Sequence, residues 1–106
     1  MIVRIEGQVQ WTAFLDPKSE KWIGLCPVLN LVVEGDTWSD MQAEANHAAR
    51  LLMQELLASG DLDAFLRTHG FRADVPHDVP PSDIIFDIPA PFVIEQNPIG
   101  DGVAYR

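Results

Sequence analysis

The sequence predicts an α+β domain, an antiparallel β-β-β-α-(short α)-β sheet with one main helix packed on one face. Three observations carry that expectation. Apolar residues alternate with others at a period of two over residues 1–15 and again over 84–95, the pattern of strands with one buried face. Between these runs Met41, Ala45, Ala48, Leu52 and Leu56 recur at the 3.6-residue period of a helix. A chain of 106 residues that is 47% hydrophobic and 22% charged supports one core and not two.

The first strand carries Val3, Ile5, Val9, Trp11, Ala13 and Leu15 on one face, with a bend expected at Gly7, where no side chain opposes a kink or bulge. Asp16, Pro17 and Ser19 supply turn chemistry. Lys21 to Cys26 is the expected second strand and Leu31 to Glu34 the third, with Pro27 marking the connection because it cannot donate to a central ladder. Thr37 is placed to cap a helix beginning near Trp38, and Asp40 to bond back to its amide as in a capping box. Ala49, Leu51, Met53 and Leu57 widen the apolar arc of that helix, which Ser59-Gly60 ends because glycine takes the left-handed position at low cost. A short second helix follows, with Asp61 as N-cap, Leu62, Phe65 and Leu66 on one face, Phe65 as its main core residue and Gly70 as its stop.

From Ala73 to Pro81 three prolines favour an extended surface tether. Ile84, Phe86, Ile88, Ala90, Phe92 and Ile94 then make one face of a fourth strand. Pro89 and Pro91, each lacking an N–H, place it at a sheet edge or split it in two. The expected organisation is a core over 1–72, a proline-containing connection over 73–83, an edge strand of the same domain over 84–95 and a tail over 96–106.

Sixteen acidic residues against seven basic ones give a net charge of −9. Such a surface repels phosphates, and the basic residues are scattered, so direct nucleic-acid binding is not expected. The same charge speeds association with a basic protein. The lone Cys26 cannot form an internal disulfide, which points to a cytoplasmic protein. Arg4 and Glu6 interrupt the N-terminal apolar run where a signal peptide needs continuity, and no 18-residue apolar stretch occurs, so neither secretion nor a membrane span is expected.

The residues suggest no reaction. Glu6, Glu34 and Asp87 are carboxylates on predicted strands, but their spacing does not force them to converge on metal ions as a two-metal nuclease requires. His47, His69 and His77 lack metal-ligand spacing, and His69 suits the negative end of the second helix without any ligand role. Cys26 has no neighbouring cation in the sequence to lower its pKa and is expected as a small buried hydrophobe. The glycines are too dispersed for a phosphate loop. A non-enzymatic chain without metal or cofactor is the expectation. Trp11 follows the inward pattern, whereas Trp38, outside the Met41 stripe, is a candidate for partner contact, with packing at the sheet margin as the alternative.

The segment from Trp22 to Ala48 carries a further pattern: an aromatic ahead of Cys26-Pro27-Val28-Leu29, then Glu34-Gly35-Asp36-Thr37 opening an Ala-rich helix. Here the chain resembles the HicB-like antitoxin family, and the likeness continues through Gly60-Asp61-Leu62-Asp63-Ala64-Phe65-Leu66. The resemblance implies a partial RNase H-like sheet covered by helix on one side. In it Trp22, Cys26, Pro27, Leu29, Gly35, Asp36 and Thr37 act structurally, Gly35 allowing the turn and Thr37 capping the helix. Met41 stands where the family more often has alanine, and Gln42 where it often has an apolar residue. The proline-punctuated strand and short tail differ from the DNA-binding segment that ends many of these antitoxins, so operator binding is not implied.

The function implied is binding and occlusion of a small basic HicA-like mRNA-cleaving toxin with a double-stranded-RNA-binding-type fold. The alternative is a stand-alone homo-oligomeric domain that serves as a scaffold or binds another partner. Its copies would pair through the edge strand bearing Ile84, Phe86, Ile88, Phe92 and Ile94.

Overall fold

The structure, a computed structural model, describes residues 1–7, 9–76 and 78–95. Along the chain these form β1 (Ile2–Arg4), β2 (Trp11–Leu15), β3 (Trp22–Cys26), β4 (Leu31–Gly35), α1 (Trp38–Ser59), α2 (Leu62–Thr68), β5 (Ile85–Asp87) and β6 (Phe92–Ile94). The class is α+β. Strands β2, β3 and β4 form the antiparallel meander, but β6 joins the other side of β2 in parallel, giving the order β4-β3-β2-β6, and β5 pairs in parallel with β1. The sheet is therefore mixed, not antiparallel as expected. Two helices and a connection separate β4 from β5, enough chain to recross the sheet and re-enter alongside the first strand in the same direction.

Both long alternating segments exist, and both are broken. Residues 2–15 and 85–95 run side by side: the Ile5, Val9 and Trp11 amides donate to the Asp87, Pro89 and Pro91 carbonyls, each at 2.9 Å, and the Glu95 amide donates to the Ala13 carbonyl at 2.7 Å. Gly7 breaks the first segment with φ 125, a backbone state that favours glycine, and Phe71 occupies the space a Cβ would need. Pro89 and Pro91 break the second. Their carbonyls accept the Val9 and Trp11 amides, and a strand residue directs its N–H and C=O to the same side, so the missing donors fall on the paired edge.

Helix α1 begins as expected: Thr37 Oγ1 accepts the Asp40 amide at 3.0 Å. The Asp40 carboxylate does not return the bond, so half of the capping box forms. Gly60 closes the helix at φ 83, its amide donating to the Leu57 carbonyl at 3.1 Å. The buried row is Met41, Ala45, Ala49 and Met53; Ala48, Leu52 and Leu56, expected on that stripe, are half-buried beside it, and Leu51 is exposed. Small residues in the row let α1 lie close on β4 and β3.

In α2 the core residues are Leu62 and Leu66, not Phe65, which is half-buried with its ring 4.3 Å from that of His69. Leu62 and Leu66, an i, i+4 pair, form the buried row of this two-turn helix, which packs on α1. Asp61 accepts the Ser59 hydroxyl at 2.9 Å and makes no side-chain cap bond. The connection is not wholly a tether, because Pro81–Asp83 form a 3₁₀ turn that packs on α1. Ile84 and Phe86 enter the same core as Val3, Ile5, Val9 and Trp11. The tail over 96–106 and His77 lie outside the described residues.

Candidate functional site

The alternation within β2, β3, β4 and β6 sorts the sheet into two unlike faces. Trp11 and Ala13 of β2, Gly24 and Cys26 of β3, Leu31 and Val33 of β4 and Phe92 of β6 face α1, where they are buried or half-buried. The other parity, Thr12, Phe14, Ile23, Leu25, Val32 and Val93, faces away from α1. No helix among the described residues packs there. Register aligns Val93, Thr12, Leu25 and Val32 as one row across all four strands, and Phe14, Ile23 and Glu34 as the next. The row ends are the most open: Val32 is 71% exposed and Val93 48%.

The charged groups gather at one end of this face. Glu34 closes the second row on β4, and Glu95, two residues after Val93, lies beside Phe14 on the β6 side. Lys21 Nζ donates to Glu34 Oε2 at 3.2 Å and stands 3.7 Å from Asp36 Oδ1. The bond to Glu34, helped by the charges of Glu34 and Asp36, raises the lysine pKa above its ordinary value. In the adjoining turn the Ser19 hydroxyl, 2.7 Å from Asp16 Oδ2, holds that carboxyl below its usual value. The face thus has an apolar centre and an acidic end, where Lys21 is matched by two carboxylates and Lys18 lies near Asp16 in the adjoining turn.

The carboxylates weighed for metal chemistry stand apart. Glu6 Oε1 is 3.5 Å from Arg72 Nη2, Asp87 Oδ2 accepts from Arg4 Nε at 3.0 Å, and Glu34 faces Lys21. Among the described residues no three His, Cys, Asp or Glu side chains group closely enough to share a metal ion. Cys26 is 1% exposed; burial pushes its thiol up, against the opposing pull of the Leu29 and Val28 amides. His69 Nδ1 lies 2.9 Å from the Phe65 carbonyl at the end of α2. A surface cleft of about 590 Å³ beside α2 mixes Arg67 and Arg72 with Glu6, Asp63 and Asp74 and brings no nucleophile to them.

The remaining predicted residues fall into structural places. Leu29 is buried, and Pro27 accepts the Asn30 amide at 3.1 Å in the turn from β3 to β4. Gly35 is not a turn residue. Its φ is not positive, and a Cβ there would lie 2.8 Å from Met41 Cα, so glycine serves the close approach of β4 to α1. Trp38 is half-buried, its ring centroid 5.0 Å from that of Trp22 and 5.4 Å from that of Phe92, which in turn lies 5.8 Å from that of Trp11. Of the residues assigned to a pairing edge, Ile84 and Phe86 are core, Ile88 and Phe92 are half-buried, and only Ile94 is exposed.

The open face was not singled out from the sequence, although a signal for it exists. Trp22-Ile23-Gly24-Leu25-Cys26 and Leu31-Val32-Val33 are apolar at both parities, which marks strands with two apolar faces, and one helix covers only one. No helix among the described residues is long and apolar enough to cross a membrane. In comparisons with known proteins, no family model, curated protein or solved structure matches this chain.

Proposed function

We propose that this chain is a HicB-like antitoxin-type protein that binds and occludes a small basic HicA-like mRNA interferase, on a partial RNase H-like fold. The observation that carries this is the sheet face that no helix among the described residues covers, apolar at its centre and acidic at one end, on a chain of net charge −9. An apolar patch with a charged rim is the anatomy of a protein interface. Supporting the fold are three consecutive antiparallel strands, a covering helix and a strand that returns beside the first. Occlusion asks no reaction of this chain. Its carboxylates take the place of RNA phosphates against the basic surface of the toxin.

The test is to mix the purified chain with the HicA-like protein of the same genome at physiological salt. A stoichiometric complex that stops cleavage of a reporter mRNA is expected. Binding no tighter than to lysozyme, an unrelated basic protein, with cleavage unaffected, overturns it. The outer edge of β6, where Val93 and Ile94 are exposed, favours a second reading, the stand-alone homo-oligomeric domain acting as scaffold or binding another partner. A monomer by light scattering throughout a dilution series removes that one.

A further inference from the structure

We infer that two copies of this chain pair through the outer edge of β6, antiparallel about a two-fold axis at Val93, and so join their sheets into one. This rests on the homo-oligomeric reading and adds to it the strand, the register and the axis; it asks nothing of a toxin.

Parity decides which backbone groups the edge presents. The Asp87, Pro89 and Pro91 carbonyls and the Glu95 amide all bond toward residues 5–13, and β6 keeps that parity through Val93 in its parallel register with β2. Phe92 and Ile94 therefore turn their N–H and C=O outward, where no hydrogen bond among the described residues takes them. Prolines commonly protect a sheet edge by removing donors. Here both missing donors point inward, so the outer edge of β6 keeps its own. Val93 and Ile94 are exposed on it.

Such an edge is complementary to itself. With the axis at Val93, Phe92 of one copy lies opposite Ile94 of the second copy, and each such pair exchanges both of its N–H···O=C bonds. On the helix side of the sheet Ile94 of the second copy falls beside Phe92, whose ring centroid lies 5.4 Å from that of Trp38, and extends that aromatic packing.

Charge selects the occupant. A chain of net charge −9 pairs with itself only where its acids stand clear, and residues 88–94 carry no charged side chain. Glu95 falls opposite Pro91 of the second copy, which sets the two Glu95 side chains about 13 Å apart along the strands, beyond the Debye length of about 8 Å at physiological salt. The other edge of the sheet, β4, carries Glu34 and leads into Asp36, so a second copy there brings like charges closer. An uncharged edge also gives a basic protein nothing to prefer. The bonded stretch is three residues from each copy, well short of the ~800 Å² that a standard interface covers on each partner, so the dimer is expected to dissociate within a dilution series.

The experiment follows the full chain by sedimentation across such a series and by disulfide trapping. The parent is expected to be a dimer at its higher concentrations. Val93→Cys sets two thiols across the axis, where facing Cα atoms about 4.5 Å apart suit a disulfide, and mild oxidation is expected to link the copies. Cys26 is buried and does not compete. Val32→Cys, exposed on the other edge, is expected to stay unlinked. Ile94→Pro removes an outward donor and no inward one, and is expected to raise the dimer dissociation constant about tenfold or more. Circular dichroism checks that each variant is folded. A parent that is monomeric throughout overturns the pairing together with the homo-oligomeric reading. A dimeric parent whose Val93→Cys variant does not link, or links no better than Val32→Cys, overturns the pairing while that reading stands. A folded Ile94→Pro protein that dimerises as the parent does removes the backbone bonds, and the pairing with them.

Discussion

Gly35 ends β4 where the strand passes beneath the first turn of α1, and replacing it by alanine tests how closely the two elements are joined. A Cβ at this position would lie 2.7 Å from the Asp40 carbonyl carbon and 2.8 Å from Met41 Cα, with Met41 N nearer still. Favourable carbon contacts need about 3.5–4.0 Å, so Gly35→Ala must part strand from helix by about 1 Å. The obstacle is backbone, held by the Met41 amide on the Thr37 carbonyl at 3.0 Å, and cannot swing aside as a side chain would. Overpacking costs about 1–3 kcal/mol, and a rigid neighbour puts Gly35→Ala at about 3 kcal/mol. With an unfolding entropy of about 2.1 cal/mol/K per residue, or about 220 cal/mol/K for the chain, the melting temperature falls by about 13 °C.

Gly60→Ala is the internal comparison. Gly60 has φ 83, and a Cβ there would meet nothing within 4 Å, so only left-handed strain of about 1–2 kcal/mol applies. Thermal and urea unfolding followed by circular dichroism measures both variants. A Gly35→Ala protein that melts within about 2 °C of the parent, or that loses less than Gly60→Ala, refutes the close approach of strand to helix as the reason for glycine.

Two further predictions concern titratable groups. Cys26 is buried with its thiol pKa raised, so a thiol reagent at pH 7.4 is expected to leave it unmodified in the native protein and to react with it fully in urea; rapid native labelling would show that its strand opens readily. Lys21 has its pKa raised above 10.5, chiefly by Glu34; its contribution to stability is fully present below the unfolded value and is lost as pH rises through the folded one. Glu34→Gln is expected to lower the Lys21 pKa toward 10.5, read by NMR titration of its ε-methylene, and no change would dissociate the pair.

Much of the architecture was legible because local chemistry decides it. Thr37 and Gly60 bound α1 as their side chains dictate: one has a hydroxyl to accept an amide, and the other tolerates positive φ. Gly7 and the pair Pro89 and Pro91 interrupt their strands for equally local reasons. The buried row of α1 was less legible, since a wide apolar arc permits more than one rotation of the helix and only the sheet beneath selects Met41, Ala45, Ala49 and Met53. Phe65 is not among the buried residues of α2 for a similar reason, because packing selects Leu62 and Leu66.

By itself the sequence determined the α+β class, the order of strands and helices, the ends of α1 and the burial of Trp11 and Cys26, all of which follow from periodicity, caps and residue size acting over a few neighbours. Tertiary structure alone decided that β5 and β6 return parallel to β1 and β2, that Gly35 is needed for close approach, and that Trp38 packs against Trp22 and Phe92. It also decided that Val32, Leu25, Thr12 and Val93 share one row. Those facts depend on distant parts of the chain being brought into register, and register is set by which faces can be buried at once: one long helix covers one side of four strands, and no helix among the described residues covers the other.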